Sequence, residues 1–175
     1  EFEAAVGGPG GDGPAAALPG VVRYVARPGP DGRLEGTLEI EVVAAPTALE
    51  LPLGRLPVGK GTVTADGATA EATPYARGAD RLAALAARPG RYRFPWSLEP
   101  SGAEGAWRLP LAPAVRSIVE LTLPSGLVPE VPGQPWVARP VALDAPPGQG
   151  PADPLSETAW RIDVGPIGEL RLRAV

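Results

Sequence analysis

From Val21 onward the sequence alternates apolar and polar residues with a period of two, and Pro and Gly interrupt the alternation at short intervals. A period of two suits a strand with one buried face, because successive side chains leave a strand on opposite sides. Val22, Tyr24 and Ala26 alternate with Arg23 and Arg27, and Pro28 to Gly32 turn the chain. Leu34, Leu38 and Ile40 then alternate with Glu35, Thr37, Glu39 and Glu41, which completes a hairpin signal. Leu49, Leu51 and Leu53 repeat the pattern, with Pro52 suited only to an edge or a strand end. Val63 and Ala65 run into Asp66-Gly67, and Ala68 to Tyr75 return as a second hairpin. Tyr92, Phe94 and Trp96 alternate with Arg91, Arg93 and Pro95, placing one aromatic face in the interior.

Later strands are expected at 106–111, at 118–123 before Pro124-Ser125-Gly126, and at 127–132, 136–143, 158–164 and 168–175. Residues 79–87 (ADRLAALAA) have a helix-forming composition. They span under three turns, however, and Leu82, Ala84 and Ala86 also alternate, so a strand is expected there. The predicted fold is an all-β antiparallel sandwich of roughly 10–12 short strands with no substantial helix. The 23 glycines and 24 prolines fall mostly between periodic segments, where turns need them.

Residues 21–175 read as a single β-sandwich domain, and residues 144–156 as its longest internal loop. Residues 1–20 read as a short strand (1–6) followed by a Gly/Pro-rich linker. Phe2, Ala4 and Val6 alternate with Glu3 and Ala5, a half-buried strand pattern. These three are strand-donor candidates: on a flexible tether the segment could pair within its own domain or add to a neighbouring subunit by β-augmentation.

Absent residues narrow the chemistry. The chain has no His, Cys, Met or Asn, and Lys60 is its single lysine. A disulfide framework, a thiol nucleophile, a Ser-His-Asp triad and imidazole or thiolate metal ligation are excluded for these 175 residues. The net charge of −4 comes from interspersed charges without a basic stripe, so no nucleic-acid partner is expected. No apolar run approaches the ~18 residues of a membrane-spanning helix, and no membrane insertion is expected. Glu1-Phe2-Glu3 does not read as a signal peptide, so either a leader has been removed or the chain is a segment of a longer one. The Arg-for-Lys bias with abundant Ala, Gly and Pro suggests a GC-rich genome, and the lack of Asn, Cys and Met also fits thermostability.

The remaining candidates for chemistry have ordinary readings. Glu39/Glu41 and Asp163/Glu169 are carboxylate pairs with the spacing of solvated strands or turns. Asp12, Asp31 and Asp66 precede glycines as turn residues and lack the clustered spacing of a calcium loop. Lys60 lies between Gly59 and Gly61 without the rest of a phosphate-binding loop. Ser117 has no histidine to activate it. Trp96, Trp107, Trp136 and Trp160 are glycan-stacking candidates, although a chain with four Trp, three Tyr and two Phe also needs them in its core.

The order of segments resembles a β-sandwich domain of large envelope and surface proteins of GC-rich bacteria, planctomycetes especially. The likeness lies in DGRLEGTLEIEV at 31–42, LELPLGRLPV at 49–58, the turn at Asp66-Gly67, PGRYRFPW at 89–96, LPLAPAVRSIVELTLPSG at 109–126, VPG at 131–133 and a closing strand at 169–173. Residues 144–156 depart from that layout. The resemblance implies an extracytoplasmic structural module and brings no activity with it.

The expected function is therefore a structural or adhesive module at the cell surface or outside the cell, not an enzyme. No metal or cofactor is expected. Its partners would be itself or neighbouring domains of a larger surface protein, with a fibre built by strand donation from residues 1–6. The alternative is a carbohydrate-binding module that uses exposed tryptophans.

Overall fold

The computed structural model describes residues 18–52, 56–76, 82–101, 105–133, 137–141 and 157–175. Every regular element among them is a strand: β1 (Val21–Pro28), β2 (Leu34–Val42), β3 (Thr47–Leu51), β4 (Gly61–Ala65), β5 (Ala68–Ala72), β6 (Pro74–Ala76), β7 (Leu82–Ala86), β8 (Gly90–Leu98), β9 (Trp107–Pro110), β10 (Arg116–Pro124), β11 (Pro129–Glu130), β12 (Ala138–Val141), β13 (Glu157–Val164) and β14 (Glu169–Ala174). The protein is all-β, and the alanine-rich stretch contains a strand, β7, as its alternation implied.

Eight strands form one sheet in the order β12-β13-β10-β1-β2-β8-β4-β5. Two three-stranded sheets, β11-β14-β9 and β3-β7-β6, complete the described fold. The β1–β2 hairpin sets Tyr24 opposite Leu38, and Leu38 in turn faces Phe94 on β8. The expectation of antiparallel pairing needs one correction. β1 runs parallel to β10, with Tyr24 opposite Val119, so the large sheet is mixed. Strands so far apart in sequence meet through a long connection, and only adjacent strands joined by a tight turn must be antiparallel.

The strand count also exceeds the expected one. The segment 68–75, read as one returning strand, divides at Thr73 into β5 on the large sheet and β6 on a small one. The Asp66-Gly67 turn joins β4 to β5 with φ of 49° and 75°, the two positive values that a two-residue hairpin of right-handed twist requires.

One face of the large sheet is apolar. Val22, Tyr24, Leu38, Ile40, Tyr92, Phe94, Val119, Leu121 and Ile162 are fully or almost fully buried, and they share a single core cluster with Leu49 and Leu51 of β3 and with Leu109, Leu170 and Leu172 of β9 and β14. All three sheets thus contribute to the same interior. Two polar anchors tie it together: Trp107 Nε1 donates to the Gly32 carbonyl at 3.1 Å, and Tyr92 Oη donates to the Arg88 carbonyl at 2.9 Å. Gly36 on β2 lies beneath the Trp96 ring. An added Cβ there would meet Cζ2 of that ring at 2.8 Å and also run into the Val25 carbonyl.

Candidate functional site

The other face of the large sheet carries the polar half of each alternation. Register aligns its side chains in rows across the strands. One row joins Asp163 of β13, Ile118 of β10, Arg23 of β1, Glu39 of β2, Arg93 of β8 and Thr62 of β4. Much of the charge there is paired. Arg93 Nε donates to Glu39 Oε1 at 2.8 Å, and Arg23 Nη1 lies 3.7 Å from Glu120 Oε1. Asp163 accepts from Arg116 Nη2 at 2.5 Å and from Arg161 Nε at 3.2 Å. Hydrogen bonding from Arg161, helped by Arg116, holds the Asp163 carboxyl below the usual range against the opposing effect of its partial burial. At the far edge Lys60 Nζ reaches Glu71 Oε1 at 3.1 Å and lowers the pKa of that exposed carboxyl, with Thr73 assisting.

Toward the opposite end of the strands the same face opens into a cleft of about 710 Å³. Val25, Pro57, Val58 and Pro95 give it an apolar lining, with Thr37, Ser97 and Thr122 supplying hydroxyls and Arg27 and Glu35 supplying charge. Residues 57–59 form one wall by pairing with β8: Gly59 N–H donates to the Pro95 carbonyl at 2.9 Å and Ser97 N–H to the Pro57 carbonyl at 3.3 Å. Arg27 and Glu35 are direct neighbours across β1 and β2, yet neither makes an ion pair with another described side chain.

This cleft was not singled out in the sequence, because it depends on long-range register that brings β1, β2, β8 and β10 side by side. Two local signs did point to it. Val25 breaks the run of charged residues between Arg23 and Arg27, and Pro95 interrupts the donors of a strand interior.

The residues singled out by sequence are placed differently. Trp96 and Trp107 are only 4% and 5% exposed. Trp96 packs edge-on against Tyr24 with ring centroids 6.2 Å apart, and Trp107 is bonded to Gly32. Trp160 is half-buried on the inner side of β13, opposite Leu121. Trp136 lies outside the described residues. For two of the four glycan-stacking candidates this is a correction: Trp96 and Trp107 give their faces to the core, where no pyranose can stack. Phe2, Ala4 and Val6 also lie outside the described residues. Asp163 and Glu169 stand on separate sheets, each beside arginine (Arg116 and Arg161 for Asp163, Arg171 for Glu169), while Glu39 is engaged by Arg93. Lys60 is a surface residue paired with Glu71, and Ser117 is buried at the start of β10.

No family model matches the chain, and no curated protein matches it. Solved structures do. An M1 zinc metallopeptidase from Deinococcus radiodurans, a mutant form bound to a Tyr-Ser-Ala substrate, aligns with a TM-score of 0.51 at 13% identity. The alignment covers 89% of this chain and 42% of that one. A candidate protease from Parabacteroides distasonis aligns with a TM-score of 0.41 at 12% identity, covering 89% of this chain and 39% of that one. The chain thus spans under half the length of both structures.

The first likeness corrects the expectation that the chain is not an enzyme. An arrangement of strands like this one occurs within a zinc metallopeptidase, so an all-β fold without histidine or cysteine does not argue against membership of an enzyme. The described residues themselves do not fit a zinc site, since no three of His, Cys, Asp or Glu come together to hold a metal ion.

Proposed function

We propose that the chain is a β-sandwich module of a larger, peptidase-like protein, in which it positions and docks extended polypeptide. On this reading the eight-stranded sheet is one layer, and the two three-stranded sheets that share its core are the other. The observation that carries the proposal is the alignment with the peptide-bound metallopeptidase, which takes in 89% of this chain but 42% of the other. A fold that fills less than half of such a protein is suited to work beside another part. Any imidazole ligand to zinc would come from outside these 175 residues, which have no histidine. The contribution of this chain would be the apolar cleft, with Arg27 facing a carboxylate and Glu35 an ammonium group of the bound polypeptide. An extracytoplasmic location rests on the resemblance of the strand order to envelope sandwich domains.

Titration with the tripeptide Tyr-Ser-Ala, followed by backbone amide chemical shifts, tests this reading. The expected result is a set of shifts confined to the cleft, at Val25, Thr37, Gly59 and Ser97. Shifts that are absent at millimolar peptide, or that fall elsewhere, would overturn it.

A second reading is favoured by a different observation, the edge of the large sheet at β5, which no other described strand covers. Here the module assembles through residues 1–6, which donate a strand to a neighbouring copy. Light scattering on the full chain and on a chain lacking residues 1–14 decides it. Association of the full chain alone supports strand donation, and two monodisperse monomers contradict it.

A further inference from the structure

The large sheet ends at β12 on one side and at β5 on the other, and the two edges differ chemically. β12 contains Pro140, which has no N–H to offer an incoming strand. β5 has neither proline nor lysine. In the two-residue hairpin that joins it to β4, the flanking pair Ala65 and Ala68 is hydrogen-bonded, and bonded and non-bonded pairs then alternate. Ala70 and Ala72 therefore bond to β4, while Thr69 and Glu71 turn their N–H and C=O groups away from it, where no described strand pairs with them. The apolar face also stops one strand short. Val63 and Ala65 of β4 are buried, yet Ala70 and Ala68, which lie opposite them on the same side of the sheet, are exposed.

We infer that residues 1–6 cover this edge as an added strand of their own sandwich. The chain enters the sheet level with the middle of β5: the register runs in one row from Val22 through Ile40, Tyr92 and Val63 to Ala70. Travel from β1 to a position beyond β5 is therefore sideways only, five strand spacings or about 24 Å. Residues 7–20, fully extended, span about 46 Å. A trough marks the route. Two clefts of about 350 and 440 Å³ share Glu41 and Arg91; the first begins at Gly20 and Val21, and the second reaches Asp66 in the turn into β5. Apart from Asp12 and Leu18, residues 7–20 are Gly, Ala and Pro, slim enough to lie along it. On so short a tether the segment meets its own edge at an effective concentration in the millimolar range.

The pattern of the segment fits the edge. Phe2, Ala4 and Val6 on the core side continue the apolar face past Ala68 and Ala70. On the outer side a carboxylate opposite Glu71 would be repelled, so Ala5, rather than Glu1 or Glu3, is the residue set beside it. The pairing of Glu71 with Lys60 is left intact. This closure is independent of peptide docking in the cleft, and it excludes the donation between copies of the second reading.

The lack of native cysteine makes cross-linking a clean test. Ala5→Cys is combined with Glu71→Cys, and in a control with Arg139→Cys on the β12 edge, which the tether also reaches, at four strand spacings. Each full chain is oxidised in dilute solution and resolved on non-reducing gels. The expected result is an intramolecular disulfide whose rate is independent of protein concentration and roughly thirtyfold or more faster with Glu71→Cys than with Arg139→Cys. With the chain unfolded in urea, the two pairs should differ only by the roughly threefold that loop length allows. Covalent dimers that form faster as concentration rises would overturn closure within one chain and favour donation between copies. Equal or greater cross-linking at Arg139→Cys would overturn the edge assignment, and so would a preference that persists undiminished in urea.

Discussion

The phenolic oxygen of Tyr24 accepts a 2.6 Å hydrogen bond from the backbone N–H of Ala112, 88 residues further along the chain. Tyr24 lies on β1 at the centre of the large sheet, and Ala112 follows β9 of a small one, so this bond pins two sheets together inside the shared core. Tyr24→Phe keeps the ring and strands a buried donor. The expected cost is about 1–3 kcal/mol, read from urea unfolding. Burial pushes the Tyr24 hydroxyl well above its ordinary value, against the lowering effect of the Ala112 bond. A raised folded-state pKa leaves stability intact below the unfolded pKa of about 10 and removes it progressively above. The wild-type chain should therefore lose stability above that pH more steeply than Tyr24→Phe does.

Gly36 tests the packing of the same region. A methyl group at this position collides with the Trp96 ring and with the Val25 carbonyl. Gly36→Ala is expected to destabilise the fold by about 1–3 kcal/mol, with Trp96 fluorescence altered as its ring shifts. Gly168→Ala is the control, because a Cβ there meets nothing within 4 Å. It should be close to neutral in the same denaturation assay.

Asp163 tests the outer face. Its carboxyl is held below the usual range, first by the hydrogen bond from Arg161 and then by Arg116. The resulting stabilisation is present above the unfolded carboxyl pKa of about 4 and is lost as pH falls through the lower folded value. Asp163→Asn should be less stable than wild type near neutrality, by the modest amount usual for half-exposed pairs. The difference should vanish on acidification. Urea midpoints measured across the acid range supply both arms.

Most strands were legible because alternation is a local property. Val22, Tyr24 and Ala26 declare a buried face whatever lies beside them, and the Asp66-Gly67 turn needs only its own two residues. Even the alanine-rich β7 yielded to this reading, since Ala84 and Ala86 keep the period that a helix would break. Pairing between distant strands left no such trace. The parallel contact of Tyr24 with Val119 and the split of 68–75 across two sheets arise from long-range closure. So does the cleft, whose Arg27 and Ser97 are brought into line only through Glu35. The tryptophans were ambiguous for a related reason: a ring suits a sugar and a core equally well, and only the packing of Trp96 on Tyr24 decides between them.

Amide hydrogen exchange at Thr69 and Glu71 tests most directly whether this sheet docks polypeptide at its β5 edge. It is measured on the full chain and on the chain lacking residues 1–14. The account predicts that both amides exchange roughly tenfold or more slowly in the full chain, as expected for N–H groups drawn into a ladder. Ala70, already bonded to β4, should change less. Equal exchange at Thr69 and Glu71 in the two chains would contradict it.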